Sequence, residues 1–149
     1  MIKPSEKHPA WTKKIPHHVL HTMNRLIFGG GEGRAVRYGG AWWVLGTMRL
    51  EGCVQVFSYD VTHSILHLER ISTPPAERGR GLASRMFERI FAAADELGAV
   101  IRTNGLTQDP KNYPQESLIA WYERIGLTVV MRPQRGAVVL ERQPQKAAA

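Results

Sequence analysis

The stretch ERGRGLA, residues 77–83, decides how this chain is read. Two arginines alternate with two glycines, and the residues that follow are spaced as a helix. Leu82, Met86, Phe87, Ile90, Phe91, Ala94 and Leu97 mark one side of that helix, and Gly98 suits the position just past its end. A helix start exposes unpaired N–H groups and a partial positive charge. Glycine lets an anion approach the backbone closely, because no Cβ stands in the way. Arg78 and Arg80 add full charges beside it. Together these features make a pyrophosphate cradle. The plainer alternative is a glycine-eased turn with two solvated arginines. A strand-like run ending near Ile71, before Pro74 and Pro75, favours the anion site. The dinucleotide fingerprint fails, because Ser84 stands where its third glycine belongs, and the Gly-Lys-Ser/Thr of a phosphate-binding loop is absent.

Outward from this stretch the chain falls into two halves. Upstream, Pro16–Phe28 carries Val19, Leu20, Met23, Leu26 and Ile27 at helical spacing, with Pro16 suited to the first turn. GGGEG, residues 29–33, reads as a flexible flap. Ala41–Leu45, Val54–Tyr59 and Ile65–Ile71 are rich in β-branched and aromatic residues and are separated by glycine-bearing turns, so they read as a meander of antiparallel strands. Downstream, the helix from Leu82 is followed by a strand over Ala99–Thr103 and a polar loop over Asn104–Tyr113. A second helix spans Pro114–Ile125, with Leu118, Tyr122 and Ile125 inward and Gly126 closing it. Strands follow over Leu127–Met131 and Ala137–Glu141. The order is that of an α/β (α+β) fold with helices over a mixed sheet. All 149 residues suit one domain, with 1–14 and 143–149 expected to be flexible.

Composition bounds the function. Apolar residues make up 43% of the chain, enough for a real core, and Lys plus Arg number 20 against 13 Asp plus Glu, a net charge of +7. That balance favours anionic partners: nucleic acid, an acidic membrane surface or a phosphorylated small molecule. The single cysteine, Cys53, excludes an intrachain disulfide and a thiolate cluster and fits a reducing, cytoplasmic setting. No run approaches the roughly 20 apolar residues of a membrane span.

Two stretches carry a family resemblance. Arg78-Gly79-Arg80-Gly81-Leu82-Ala83 resembles the coenzyme-binding motif of the GNAT superfamily of N-acetyltransferases: Gln or Arg, two residues, Gly, one residue, Gly or Ala. Trp121-Tyr122-Glu123-Arg124-Ile125-Gly126-Leu127 resembles the same family's C-terminal signature. The joint match is more specific than either alone, and it covers residues 65–141. The resemblance implies a mixed, mostly antiparallel GNAT-like sheet, splayed at its centre, with helices on both faces. It implies acetyl-CoA as cosubstrate, lying in the gap between the strand before the motif and the strand after its helix. Backbone groups near Glu69, Ile71, Ser72 and Thr73 would pair with the pantetheine arm, and the N–H groups of residues 79–84, Ser84 included, would hold the pyrophosphate. Gln115 stands where the family often has a coenzyme-contacting Asn.

The implied reaction moves an acetyl group to an amine acceptor of unknown identity. The amine must lose a proton and the leaving thiolate must gain one. The resemblance gives Tyr122 the acid's part; its own helix would equally make it a core tyrosine. Alternation along Ile65–Ile71 puts His67 and Glu69 on one face with Ile65 and Ile71, and either could serve as base. A non-catalytic GNAT-fold module that binds CoA, nucleic acid or protein through its basic surface is the second reading. The chain is expected as a monomer or homodimer without a metal. His17 and His21 are one turn apart with no third ligand nearby, and Cys53 reads as a small buried strand residue.

Overall fold

The computed structural model describes residues 2–3, 15–27, 32–105, 111 and 113–146. Eight strands form one sheet, in the order β1-β2-β3-β4-β5-β6-β8-β7. The strands are β1 (Ile2–Lys3), β2 (Glu32–Tyr38), β3 (Ala41–Leu50), β4 (Cys53–Asp60), β5 (Ile65–Ser72), β6 (Val100–Asn104), β7 (Thr128–Met131) and β8 (Val139–Arg142). Helix α1 spans His17–Thr22 and runs on into a π-helical turn over Met23–Ile27; α2 spans Leu82–Leu97 and α3 spans Gln115–Ile125. Pairing is parallel between β1 and β2 and between β5 and β6, and antiparallel elsewhere. This is the mixed, mostly antiparallel sheet that the sequence implies. No helix among the described residues is long and apolar enough to cross a membrane.

The core lies along one row of alternation. Val44, Met48, Phe57, Tyr59, Leu66, Leu68, Ile101 and Leu140 are buried, and the strand register aligns them on one face. Met86, Phe87, Ile90, Ala93 and Ala94 of α2 and Val19 and Met23 join the same cluster. The α2 row is the one the sequence predicts, with two differences: Ala93 is buried although the predicted row omits it, and Phe91 is only half-buried, with the Arg142 guanidinium 4.3 Å over its ring. Gly98 ends α2 in the left-handed conformation, as its position suggests. Thr22 Oγ1 donates to Glu96 Oε2 at 3.1 Å, and Arg25 pairs with the same carboxylate, fastening the end of α1 to α2.

Four expectations are corrected. Residues 29–33 are not all a flap: Glu32 and Gly33 lie in β2, paired with Thr47 and Gly46, while 29–31 lie outside the described residues. Strand β2 has no counterpart in the sequence reading, because it carries little but Ala35 and Val36 to bury; its ladder to β3 holds it, closed by a turn at Gly39–Gly40. The two ends are partly fixed. Ile2–Lys3 pair with Gly33–Arg34, and the Gln145 N–H donates to Asp95 Oδ1 at 2.9 Å. Finally, Ile71 does not share a face with His67. Phe57 pairs with Leu68 but Val56 pairs with Arg70, so Glu69 is an extra residue in β5. This β-bulge shifts the alternation by one, and Ile71 falls opposite the buried Gln55 and packs against the core.

Candidate active site

The site begins where β5 loses its neighbour. Parallel pairing with β6 runs from Ile65–Val100 to Leu68–Thr103 and ends there. Strand β5 continues to Ser72 with no strand partner on that side among the described residues. The bulge at Glu69 bends it at the same point. Gln55 holds the bend: its Nε2 donates to Val56 O at 2.8 Å and to Arg70 O at 3.0 Å, the facing pair just past the extra residue. Thr103 Oγ1 donates to Leu68 O at 3.0 Å and so secures the last rung before the strands part. In parallel sheets, ligands bind outside the carboxyl ends of the strands.

A cavity of about 530 Å³ occupies that place, within the usual range of small-molecule sites. One wall is the end of β5, from Glu69 to Thr73. The floor is the loop into α2, with Arg78, Gly79, Gly81, Leu82, Ala83 and Ser84. Tyr122 of α3 closes the far side with Trp121, Leu118 and Asn104.

The loop has the form that an anion needs. Gly79 has φ +81° and Gly81 φ +72°, a region other residues enter only with strain. A Cβ built on either would meet nothing within 4 Å, so both glycines face open space. Gly81 is the N-cap of α2, and no side chain caps the helix there. Its first N–H groups are therefore left for solvent or a ligand. Arg78 Nε donates to Thr73 O at 3.1 Å, tying the loop back to the end of β5.

Tyr122 is 4% exposed, with its ring against Phe87 at 5.9 Å and Trp121 at 5.4 Å between centroids. Burial pushes its pKa above the usual tyrosine value, while a hydrogen bond with Thr103 works the other way. Its hydroxyl therefore keeps its proton throughout the neutral range. Glu69 accepts a hydrogen bond from Ser58 Oγ at 2.9 Å.

Three residues singled out from sequence do not line the cavity. His67 lies one register pair before it, between Ser58 on β4 and Arg102 on β6, with its ring 5.8 Å from that of Trp43. Burial, and then the Arg102 charge, hold its pKa below the usual 6.5. Arg80 turns away to Glu51, 3.2 Å from its carboxylate. Gln115 is the first residue of α3 and does not reach the cavity wall. Conversely, Asn104, Tyr113, Leu118 and Trp121 line it without having been given a place there. Asn104 is the last residue of β6, and a strand's carboxyl end beside a parallel neighbour was the signal for it. His17 and His21 are exposed on α1, and the described residues contain no group of three or more His, Cys, Asp or Glu arranged for a metal.

With this geometry in place, the comparisons are direct. A model of the acetyltransferase (GNAT) family matches residues 10–127. The chain belongs to the GNAT family. Several solved structures resemble it at low identity. The anti-CRISPR protein AcrVA5 superposes with a TM-score of 0.53 at 18% identity, over 63% of this chain and 94% of that one. Tetrahymena GCN5 gives 0.52 at 10% identity, over 71% of each chain. Ard1 from Thermoplasma volcanium gives 0.50 at 13% identity, over 70% of this chain and 71% of that one. At such identities the likeness is one of fold. No curated protein sequence matches the chain.

GNAT membership implies acetyl-CoA, and the residues present fit it. Open space over Gly79 and Gly81, an uncapped helix start and Arg78 suit a pyrophosphate. The unpaired edge of β5 beyond Leu68 offers backbone groups to an extended, amide-bearing arm.

Proposed function

We propose that this GNAT protein is an acetyl-CoA-dependent N-acetyltransferase acting on an amine in the cytoplasm. One observation carries the reading: a single cavity joins the glycine loop, the end of β5 beyond its ladder with β6, and Tyr122. Bound there, acetyl-CoA supplies an activated thioester. The chain supplies the rest. Backbone N–H groups of residues 79–84 and Arg78 hold the phosphates. The β5 edge from Glu69 to Thr73 aligns the pantetheine arm.

Tyr122 is the acid. Its hydroxyl gives a proton to the departing sulfur, and its raised pKa ensures that the proton is there to give. Glu69 is the base, because it lies in the cavity wall at the bulge and His67 does not. A carboxylate there accepts the amine proton directly or through a water molecule, and Ser58 fixes its orientation. His67 stands behind it as a neutral imidazole at neutral pH.

Thiol release from acetyl-CoA, followed over a panel of amines, tests the proposal. Amine-dependent release with stoichiometric acetylated product is the expected result. Binding of CoA without turnover on any amine would instead favour a non-catalytic module, whose basic surface a salt-dependent nucleic-acid assay then probes.

A further inference from the structure

Beside the cradle, the turn between β3 and β4 makes contacts that the proposed reaction does not use. Glu51 and Gly52 form that turn, and Glu51 holds φ +54°, an uncommon conformation for a residue other than glycine. Glu51 Oε1 lies 3.2 Å from Arg80 Nη2, and its Oε2 lies 3.4 Å from Arg85 Nη2. Next to it, a Cβ on Gly52 would fall 1.5 Å from Glu77 Oε2, so the Glu77 carboxylate of the cradle loop lies directly over the turn. Of residues 78–84, Arg80 alone does not line the cavity. The turn thus draws two arginines aside to one carboxylate at the mouth of a phosphate site. All three side chains are about half exposed, at 52%, 54% and 45% for Arg80, Arg85 and Glu51. Ion pairs so exposed are weak and screened by salt, and a pyrophosphate or a phosphomonoester carries more charge than a single carboxylate.

We propose that Glu51 is a resident counter-anion that a ligand phosphate displaces from Arg80 and Arg85, and that it thereby sets the affinity of the cradle. The proposal rests on the acetyl-CoA reading above. Calorimetric titration of CoA and of dephospho-CoA into the full chain tests it, with Glu51→Gln and Glu51→Asn as variants. Asn tolerates the left-handed conformation, so that variant guards against misfolding. Both variants should bind CoA roughly two- to tenfold more tightly than the wild type. The gain should be largest near 0.01 M salt, where the Debye length is about 30 Å, and should vanish near 1 M, where it is about 3 Å. Placing Glu51→Gln on an Arg80→Gln, Arg85→Gln background should give no gain. An equal gain for both ligands identifies the pyrophosphate as the displacing group, and a gain confined to CoA identifies the ribose phosphate. Unchanged or weaker binding by the variants, with wild-type binding intact, overturns the counter-anion role alone. Failure of the wild type to bind CoA at all overturns it together with the acetyl-CoA reading.

Discussion

The cavity and the sheet surface beside it are built from different materials. At the glycine loop, the groups facing the cavity are mostly backbone: positive-φ glycines and an uncapped helix start. On the other face of β5, the groups are side chains brought together across strands. Ser58 pairs with His67, His67 with Arg102 and Arg102 with Glu141, and Trp43 reaches over to His67 from β3. A backbone site is contiguous in sequence and tolerates almost any neighbours. A side-chain site depends on register over five strands, and each position can be varied independently. The first suits a ligand shared across a family and the second suits an acceptor that differs from member to member.

The sharpest way to break this comparison is Gly81→Asp. It puts a Cβ and a carboxylate into the open space over the cradle. At CoA near 100 times Kd, the wild type should gain about 2.7 kcal/mol of stability, read as a rise in Tm. The variant should lose that rise entirely, and its ligand-free Tm should fall modestly, by the equivalent of about 1 kcal/mol, because Asp is strained at φ +72° although its side chain meets nothing. A persisting rise would show that the phosphates lie elsewhere.

Tyr122→Phe should have the next largest effect. If the hydroxyl acts in the transition state, kcat should fall by about 10²–10⁴, while the CoA-induced rise in Tm survives. A tyrosine serving only the core predicts the reverse: a lower Tm, from the lost hydrogen bond with Thr103, and kcat nearly unchanged. The raised pKa adds a sign. Loss of the acid's proton should not limit the rate until the pH exceeds tyrosine's ordinary value of about 10.

The acceptor end sharpens with a pair of variants. Glu69→Gln should lower kcat by about 10²-fold or more and leave CoA affinity unaltered, because the cradle is backbone at the opposite end. His67→Gln should lower kcat by less than the Glu69 variant, since it stands outside the cavity wall. Reversed magnitudes would transfer the base's role to His67.

The same division explains what could be read from sequence. The glycine loop and the helix after it were legible in ERGRGLA, because glycine spacing and a following helix period are properties of one short segment. The inward position of Tyr122 on its helix was legible for a similar reason. The bulge at Glu69 was not legible. It arises from pairing with β4, where Val56 and Phe57 face three residues of β5, and nothing in ILHLERIS marks the extra one. That is why simple alternation put Ile71 beside His67. Asn104 escaped because its place depends on the end of a parallel ladder. Arg80 carries the motif's charge, but Glu51, 29 residues away, decides where that charge points.

The smallest expected effect concerns His67 and pH. Burial is the chief cause of its lowered pKa, with Arg102 adding to it and Asp60 and Glu69 opposing it. A group whose folded pKa lies below its unfolded value contributes stability above that unfolded value, here 6.5, and loses it as pH falls through the folded one. Stability should therefore decline as the pH drops below 6.5. Asp60 does not confuse this window. Burial works to raise its pKa, but hydrogen bonds from His63 outweigh that and leave it below 3.8, so its contribution is lost only in stronger acid. Denaturant melts of wild type and His67→Gln at steps between pH 7 and about 4.5 isolate the one imidazole. The variant's curve should be flatter, because glutamine cannot take up the proton that the buried site refuses. Parallel curves would mean that His67 is solvated in solution, and the side-chain row across β4, β5 and β6 would then be a wet surface.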